Sequence, residues 1–165
     1  MSIPVVGFAA YSGTGKTTLI EKLLRSLKEK GLRVAVVKHN AHDFEMDQEG
    51  KDSWRFIQAG ADVMLISSTR KTALIEQRQH SLRENLSMIR DVDLILVEGY
   101  KQEDIPKIGI SRKESVKGLP QPDSHYMAVV TDDESVSAPG IPVFDLKDIT
   151  GITEFILQAV LGLPT

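Results

Sequence analysis

The chain has 165 residues, no cysteine and a formal net charge of −3 at pH 7. Its length predicts one self-sufficient domain over residues 1–165, and the lack of cysteine excludes a disulfide framework and a thiolate metal site. The small net charge and the absence of an apolar run near the roughly 20 residues of a membrane helix predict a cytoplasmic protein that binds neither nucleic acid nor membrane.

The first elements form a strand, a helix and a second strand. The apolar run PVVGFAA, residues 4–10, predicts a strand that is buried on both faces. Residues 17–30 predict an amphipathic helix, and Gly31 is placed to end it. The apolar stripe of this helix is Leu19, Ile20, Leu23, Leu24 and Leu27. RVAVVKH, residues 33–39, predicts the second strand, so the whole segment has the size of a βαβ unit.

The middle of the chain predicts a long polar loop followed by short elements. NAHDFEMDQEG, residues 40–50, is too charged for a core and longer than a plain connection requires. After it we expect a short helix at 51–59, strands at 62–67 and 72–76 that pair antiparallel, and a weakly amphipathic helix at 81–90.

The second half contains a clear central strand, DLILVEGY, which begins at Asp93. Further strands are expected at KIGIS from Lys107, YMAVVT from Tyr126 and IPVFD from Ile141. The segment 112–125 is predicted to be a loop by its glycine and two prolines, and residues 153–161 predict a closing helix. Strands that alternate with helices indicate an α/β fold, with a mostly parallel sheet covered on both faces and some antiparallel strands.

A glycine-rich segment lies between the first strand and the first helix. AYSGTGKT, residues 10–17, has the spacing of a phosphate-binding P-loop, with alanine in place of the first glycine. Gly13 and Gly15 permit the close backbone approach that surrounds a phosphate with N–H groups. Lys16 is expected to reach the β and γ phosphates, and the Thr17 hydroxyl is expected to bind Mg²⁺. The fold is therefore predicted to be P-loop NTPase-like, with three layers.

Bound Mg²⁺ also needs a carboxylate at the end of a neighbouring strand. DLILVEG contains Asp93 and Glu98, which the extended strand separates by about 16 Å. Because ligands bind beyond the carboxyl ends of parallel strands, the strand direction selects Glu98 and puts Asp93 at the far edge. Thr18 has two interpretations, an α-phosphate contact or an ordinary residue of the first helical turn.

The polar loop 40–50 follows the second strand and is expected to cover a nucleotide. Asp43 and Asp47 are candidate acids for orienting water or supporting Mg²⁺. His39 should face the site for the same directional reason as Glu98. His39 and His42 also allow a transition-metal pair, although no third soft ligand stands nearby, and a plain solvated loop is a third interpretation.

The strand end VVTDD offers a way to read the base. A carboxylate at Asp132 accepts hydrogen bonds from the N1–H and exocyclic amine of guanine, whereas the edge of adenine has the opposite polarity. The usual lysine of a guanine-reading motif is missing. Asp132 and Asp133 are equally well explained as surface turn residues.

Three segments together resemble the MobB family, the GTP-binding accessory proteins of molybdopterin guanine dinucleotide biosynthesis. They are FAAYSGTGKTTLIEKLL, VKHNAHDFEMDQEGKDSWRFIQAGA and DLILVEGYKQEDIPKI, and the resemblance weakens after Ile110. It implies a homodimer with weak Mg²⁺-dependent GTPase activity that acts mainly as an adaptor. Its partner would be the MobA-like guanylyltransferase that attaches GMP to the molybdopterin cofactor.

The resemblance also implies roles for single residues. Phosphates would be bound by Ser12, Gly13, Thr14, Gly15, Lys16, Thr17 and Thr18. Glu98 would sit beside Mg²⁺, so Lys16, Glu98 and Asp43 are the candidate catalytic residues. Within GKDS, Lys51, Asp52 and Ser53 would contact the nucleotide or the dimer partner, whereas spacing alone makes Asp52 and Ser53 a helix cap.

Other functions fit the same motifs. An ATP-dependent small-molecule kinase would use the same P-loop and acid, but no acceptor pocket or base for it can be identified. A metallochaperone GTPase that delivers nickel is supported only by the histidine pair. A nucleotide-dependent scaffold without useful turnover is the fourth interpretation, and nucleotide preference is the property that best separates these functions.

Overall fold

The structure is a computed structural model that describes residues 3–40, 42–115, 118–120 and 126–163. Ala41 in the predicted polar loop, and part of the predicted loop 112–125, lie outside the described residues. Contacts divide the chain into two compact units. The first is Met1–His39 with Asn85–Thr165, and the second is Asn40–Glu84.

The helices and strands follow the predicted order. In chain order they are β1 (Val5–Ala9), α1 (Lys16–Glu29), β2 (Val34–Lys38), α2 (Asp52–Gln58), β3 (Val63–Ser67), β4 (Thr72–Glu76), α3 (Leu82–Met88), β5 (Leu94–Glu98), β6 (Lys107–Ile110), β7 (Tyr126–Thr131), β8 (Val143–Asp145) and α4 (Ile149–Leu161).

The first unit is built on a six-stranded sheet with the order β2-β5-β1-β6-β7-β8. Every neighbouring pair in it is parallel. Every second residue along its central strands is a buried apolar residue, and these side chains form one core with α1 and α4. They include Val6, Phe8, Leu94, Leu96, Ile108 and Ile110. The prediction of an α/β fold with a mostly parallel sheet and a small antiparallel part is confirmed.

Helix α1 is formed by the predicted apolar stripe. Leu19, Ile20, Leu23 and Leu27 are buried. The helix ends as Gly31 predicts, because this residue has a φ of 83° and its N–H donates to Lys28. The Leu32 N–H donates to the Leu27 carbonyl, which completes a Schellman motif and folds Leu32 back onto the core.

Helix α4 begins at Ile149, four residues before the predicted start at Thr153. The Asp148 carboxylate accepts a hydrogen bond from the Gly151 N–H at 2.9 Å and caps the helix. Thr153 lies within the helix, and its hydroxyl donates to the Ile149 carbonyl one turn earlier.

The second unit contains the predicted antiparallel hairpin. Strands β3 and β4 pair from Val63 opposite Glu76 to Ser67 opposite Thr72. Large apolar side chains on both strands are about half exposed: Val63, Leu65, Ile66 and Leu74. The hairpin therefore leaves large apolar side chains partly exposed to solvent.

One charged residue is buried within the sheet. Lys107 begins β6, is 1% exposed, and its ammonium donates to the Glu103 carbonyl. Burial lowers the pKa of Lys107, and the nearby carboxylates of Asp104 and Glu103 act in the opposite direction.

Candidate functional site

Strand register brings the two main motifs of the sequence together. Strands β1 and β5 are parallel neighbours, and Phe8 lies opposite Glu98. On the other side of β5, Lys38 lies opposite Glu98. The loop after β1, the end of β2 and Glu98 therefore meet at one edge of the sheet, as the directional argument predicts.

A cavity of about 320 Å³ lies at this edge. All of its lining residues belong to the first unit: Tyr11, Ser12, Gly13, Thr14, Gly15, Lys16, Thr17, Lys38 and Glu98. Six of the seven predicted phosphate-binding residues are in this set. The seventh, Thr18, is exposed in the first turn of α1.

The predicted phosphate-binding loop, residues 10–17, has the conformation that its glycines allow. Gly13 and Gly15 both have a φ of 81°, in the left-handed region that favours glycine. Thr14 is 2% exposed, and its hydroxyl donates to the Tyr11 carbonyl at 3.0 Å, which closes the loop on itself. Gly15 is the N-cap of α1, and no side chain accepts a capping hydrogen bond from the first N–H groups of the helix. The loop and the helix start therefore have the backbone geometry that the prediction of an anion site requires.

Glu98 lies between two lysines. Its Oε1 is 3.5 Å from Lys16 Nζ, and its Oε2 is 3.7 Å from Lys38 Nζ. The Glu98 side chain is 12% exposed and that of Lys16 is 17% exposed, whereas Lys38 is 58% exposed. The carboxylate is therefore neutralised mainly by a lysine of the loop itself. Asp93 is at the other end of β5, where its carboxylate accepts a hydrogen bond from the Arg33 N–H.

Sequence reasoning missed Lys38 and Arg112. Lys38 ends β2, and the directional argument that selected Glu98 would also have selected it. Arg112 follows β6, and its Nε donates to the Thr14 carbonyl at 3.0 Å. The order β1-β6 in the sheet places Arg112 there, and no motif in the sequence indicates that order.

The turn after Glu98 has an uncommon backbone. Gly99 has a φ of 95° and Tyr100 a φ of 46°, so two successive residues are left-handed. The Tyr100 ring packs against the His39 ring at 4.7 Å between centroids. Lys101 Nζ lies 4.9 Å from the centroid of the Tyr11 ring, next to the cavity. The His39 ring therefore packs against the turn that follows Glu98.

Asp132 and Asp133 lie beyond the end of β7 and are both hydrogen-bonded. Asp132 Oδ1 accepts from the Lys113 N–H at 2.7 Å. Asp133 Oδ1 accepts from the N–H and hydroxyl of Ser135, and these hydrogen bonds lower the pKa of Asp133. Both acids therefore have structural partners in turns, and base reading by Asp132 stays a prediction.

The remaining candidates belong to the second unit. Asp43 is exposed in the polar loop, and Asp47 accepts a hydrogen bond from the Gln48 N–H. Lys51 is the N-cap residue of α2, and Asp52 and Ser53 are its first two residues. Their functional roles stay predictions. Within the described residues, no group of three or more histidine and acidic side chains could hold a metal ion. No helix of the described chain is long and apolar enough to span a bilayer.

Comparison with known proteins gives a consistent result. A family model described as "Molybdopterin guanine dinucleotide synthesis protein B" (MobB) matches residues 5–132, which extends beyond the predicted limit at Ile110. The chain is 42% identical over 134 residues to a molybdopterin-guanine dinucleotide biosynthesis adapter protein of Haemophilus influenzae, covering 79% of this chain and 75% of the relative.

Two further matches cover nearly the whole chain. The Escherichia coli protein of the same description is 34% identical over 168 residues, which cover 94% of this chain and 93% of the relative. The crystal structure of Bacillus subtilis MobB superposes with a TM-score of 0.79 at 28% identity, covering 98% of this chain and 100% of that one.

Proposed function

Because this chain belongs to the MobB family, we propose that it is an adapter protein of molybdopterin-guanine dinucleotide biosynthesis that binds and slowly hydrolyses GTP with Mg²⁺. The adapter role is supported by the descriptions of the relatives. Nucleotide binding is supported by the site itself.

One observation carries the nucleotide proposal. Lys16 of the phosphate-binding loop lies 3.5 Å from Glu98, and both side chains line the cavity that Gly13 and Gly15 open. A lysine, a ring of backbone amides and a strand-end carboxylate are the parts with which P-loop proteins hold a nucleotide phosphate and its metal.

The side chains of the cavity also fit Mg²⁺. The Thr17 hydroxyl and the Glu98 carboxylate are hard oxygen ligands, and Mg²⁺ usually takes one or two protein ligands with phosphate and water completing its shell. Bound Mg²⁺ would neutralise charge on the phosphates. With nucleotide bound, Lys16 would pair with the phosphates, and Glu98 would be available to hold the metal. Asp43 is proposed to orient the attacking water.

Guanine specificity is proposed for Asp132, and Lys51, Asp52 and Ser53 are proposed as nucleotide or dimer contacts. The GTP-bound protein is proposed to contact the guanylyltransferase that attaches GMP to molybdopterin, in the cytoplasm. Nucleotide binding would then control that contact, because a phosphate in the cavity changes the charge that Lys16 and Glu98 present.

A homodimer is supported by the exposed apolar hairpin of the second unit. Val63, Leu65 and Leu74 share one face of the hairpin and are each about half exposed, so a second copy that covered this face would bury apolar surface. Leu65→Lys is expected to shift sedimentation equilibrium towards the monomer. The control Thr69→Lys, in the exposed turn between the strands, should leave the equilibrium unchanged, and a wild-type monomer at all concentrations would contradict the dimer.

Calorimetric titration of GTP and ATP with Mg²⁺ at fixed salt tests the nucleotide proposal. We expect tighter binding of GTP than of ATP. Lys16→Ala should weaken GTP binding at least tenfold, whereas Lys22→Ala, an exposed lysine on the same helix, should not. Equal affinities for GTP and ATP would contradict guanine recognition, and a folded protein that binds neither would contradict the nucleotide site.

The adapter proposal needs a separate experiment. Purified guanylyltransferase is expected to form a complex with the wild-type protein that is stronger with GTP than without nucleotide. Lys16→Ala should remove the GTP dependence. Complex formation that is indifferent to nucleotide would show that binding and adapter function are not coupled.

A further inference from the structure

The segment after β6 contacts the phosphate-binding loop through Arg112. Strand β6 pairs with β1, so the residues beyond both strands lie at the same edge of the sheet. Arg112 Nε donates to the Thr14 carbonyl at 3.0 Å. A Cβ on Gly15 would stand 3.0 Å from Nη2 of Arg112 and 3.6 Å from its Cζ. The guanidinium therefore lies against the centre of the loop.

The backbone that carries Arg112 is itself held in place. The Ser111 hydroxyl donates to Thr131 Oγ1 at 3.1 Å, and both residues are buried. The Lys113 N–H donates to Asp132 Oδ1 at 2.7 Å. The backbone of Arg112 is thus fixed from both neighbouring positions to the end of β7, and its exposed side chain is held to the loop by the hydrogen bond to Thr14.

We propose that Arg112 is a positioning residue that holds the Thr14–Gly15 peptide in the orientation required for anion binding. In a trans peptide, the carbonyl and the N–H of one unit point in opposite directions. The Thr14 carbonyl points to Arg112, so the Gly15 N–H points away from it. Gly15 lines the cavity, and the N–H is thereby directed to the side where a phosphate would lie.

This inference rests on the proposed nucleotide site and deepens it. A glycine with a φ of 81° has unusual backbone freedom, and its peptide is able to rotate unless a neighbour holds it. A hydrogen bond from a charged donor to the Thr14 carbonyl opposes that rotation. The loop is then already ordered in the folded protein, so nucleotide binding loses less conformational entropy and the affinity is higher.

Three substitutions separate positioning from charge. In Arg112→Gln, the side-chain amide nitrogen is as many bonds from Cα as Nε of arginine, so the donor is kept and the charge is lost. In Arg112→Lys, a methylene takes that place, so the charge is kept and the donor at that point is lost. Arg112→Ala loses both. Arg33→Ala, an exposed arginine at the opposite edge of the sheet, is the matched control.

The first measurement is the affinity for GTP with Mg²⁺. Arg112→Ala and Arg112→Lys should each bind about tenfold more weakly or worse, and Arg112→Gln should stay within about threefold of wild type. Rescue by lysine and not by glutamine would overturn positioning in favour of a charge effect on phosphate. Wild-type affinity in Arg112→Ala would remove the residue from the site altogether.

The second measurement needs no ligand. The ¹⁵N–¹H resonance of Gly15 in the nucleotide-free protein should shift in Arg112→Ala and Arg112→Lys and return towards the wild-type position in Arg112→Gln. Unchanged resonances would contradict the inference even where affinities fall. If the wild-type protein binds no nucleotide while these shifts appear, the nucleotide proposal fails and the loop-positioning role stands.

Discussion

Replacing Glu98 by glutamine is the most informative single change in the cavity. The substitution keeps the shape of the side chain and removes its charge. Glu98 Oε1 lies 3.5 Å from Lys16 Nζ, and Glu98 Oε2 lies 3.7 Å from Lys38 Nζ. The change therefore affects two ion pairs that differ mainly in their exposure to solvent.

The expected loss of stability is small. At 3.5 Å and an effective dielectric constant of about 20, the attraction between Glu98 and Lys16 is about 5 kcal/mol before any desolvation cost. Desolvation of two largely buried groups offsets most of this. The pair with Lys38 contributes about 0–1 kcal/mol because that lysine is mostly in solvent. We expect Glu98→Gln to lower the free energy of unfolding by about 1–2 kcal/mol.

The effect on nucleotide binding should depend on Mg²⁺. Glutamine is a weaker ligand for Mg²⁺ and does not compete for the Lys16 ammonium. GTP affinity without Mg²⁺ should therefore stay constant or increase, whereas the gain in affinity on adding Mg²⁺ should fall about tenfold, with a corresponding loss of GTP hydrolysis. Calorimetry with Mg²⁺ and with a chelator, and a phosphate-release assay, measure these quantities.

Asp93→Asn provides the control, because Asp93 precedes the same strand and is about 16 Å away along an extended chain. It should leave the Mg²⁺ dependence unchanged. If Glu98→Gln also leaves it unchanged and hydrolyses GTP at the wild-type rate, Glu98 has no role beside the metal. If its Mg²⁺-free affinity falls, the proposed competition for Lys16 is wrong.

Three further predictions concern other parts of the first unit and one control in the second. Asp132→Asn should lower the ratio of GTP to ATP affinity about tenfold in calorimetry, and an equal loss for both nucleotides would contradict base reading. Gly99→Ala should lower the free energy of unfolding in urea by about 2–4 kcal/mol, because φ is 95° and the new Cβ would stand 2.9 Å from His39 Cβ. Gly60→Ala, at a residue with a φ of 104° and open space around it, should lower the free energy of unfolding by only about 1 kcal/mol. If both substitutions lower it equally, the predicted clash between position 99 and His39 is wrong. Since the folded pKa of Lys107 is below its unfolded value of 10.5, the unfolded state binds more protons between these two values, and stability should rise with pH across that window. Lys107→Met should remove this rise relative to wild type, and identical pH profiles would contradict it.

Much of the first unit could be predicted from local sequence signals. The stripe Leu19, Ile20, Leu23 and Leu27 indicates α1, and the glycine and lysine spacing indicates the loop before it. The prediction that Glu98 lies beside the loop required one assumption about the whole sheet, that its strands are parallel, and the structure confirms this. These features depend on periodicity and direction, which a sequence carries.

The features that sequence reasoning missed depend on properties that a sequence carries weakly. Arg112 meets Thr14 because β6 pairs with β1, and strand order is set by packing of the whole sheet. The early start of α4 was missed because Ile149 and Gly151 are poor helix formers, although Asp148 provides a capping signal. In the second unit, the sequence predicts the β3–β4 hairpin correctly but does not predict that Leu65 and Leu74 are exposed.

Besides its proposed contact with Mg²⁺, Glu98 affects which form of the nucleotide the cavity favours. Lys16 and Lys38 contribute two positive charges and Glu98 one negative charge, so the three side chains are net positive by one. A nucleotide without Mg²⁺ carries two more negative charges than its Mg²⁺ complex, and it meets the Glu98 carboxylate unscreened. The carboxylate therefore disfavours the free nucleotide and favours the complex, whose metal it contacts in the proposed site. With glutamine at position 98, free GTP should bind no more weakly than to wild type, whereas the Mg²⁺ complex should bind more weakly. Affinity measured without Mg²⁺ therefore tests the site model more sharply than hydrolysis, which depends only on the complex.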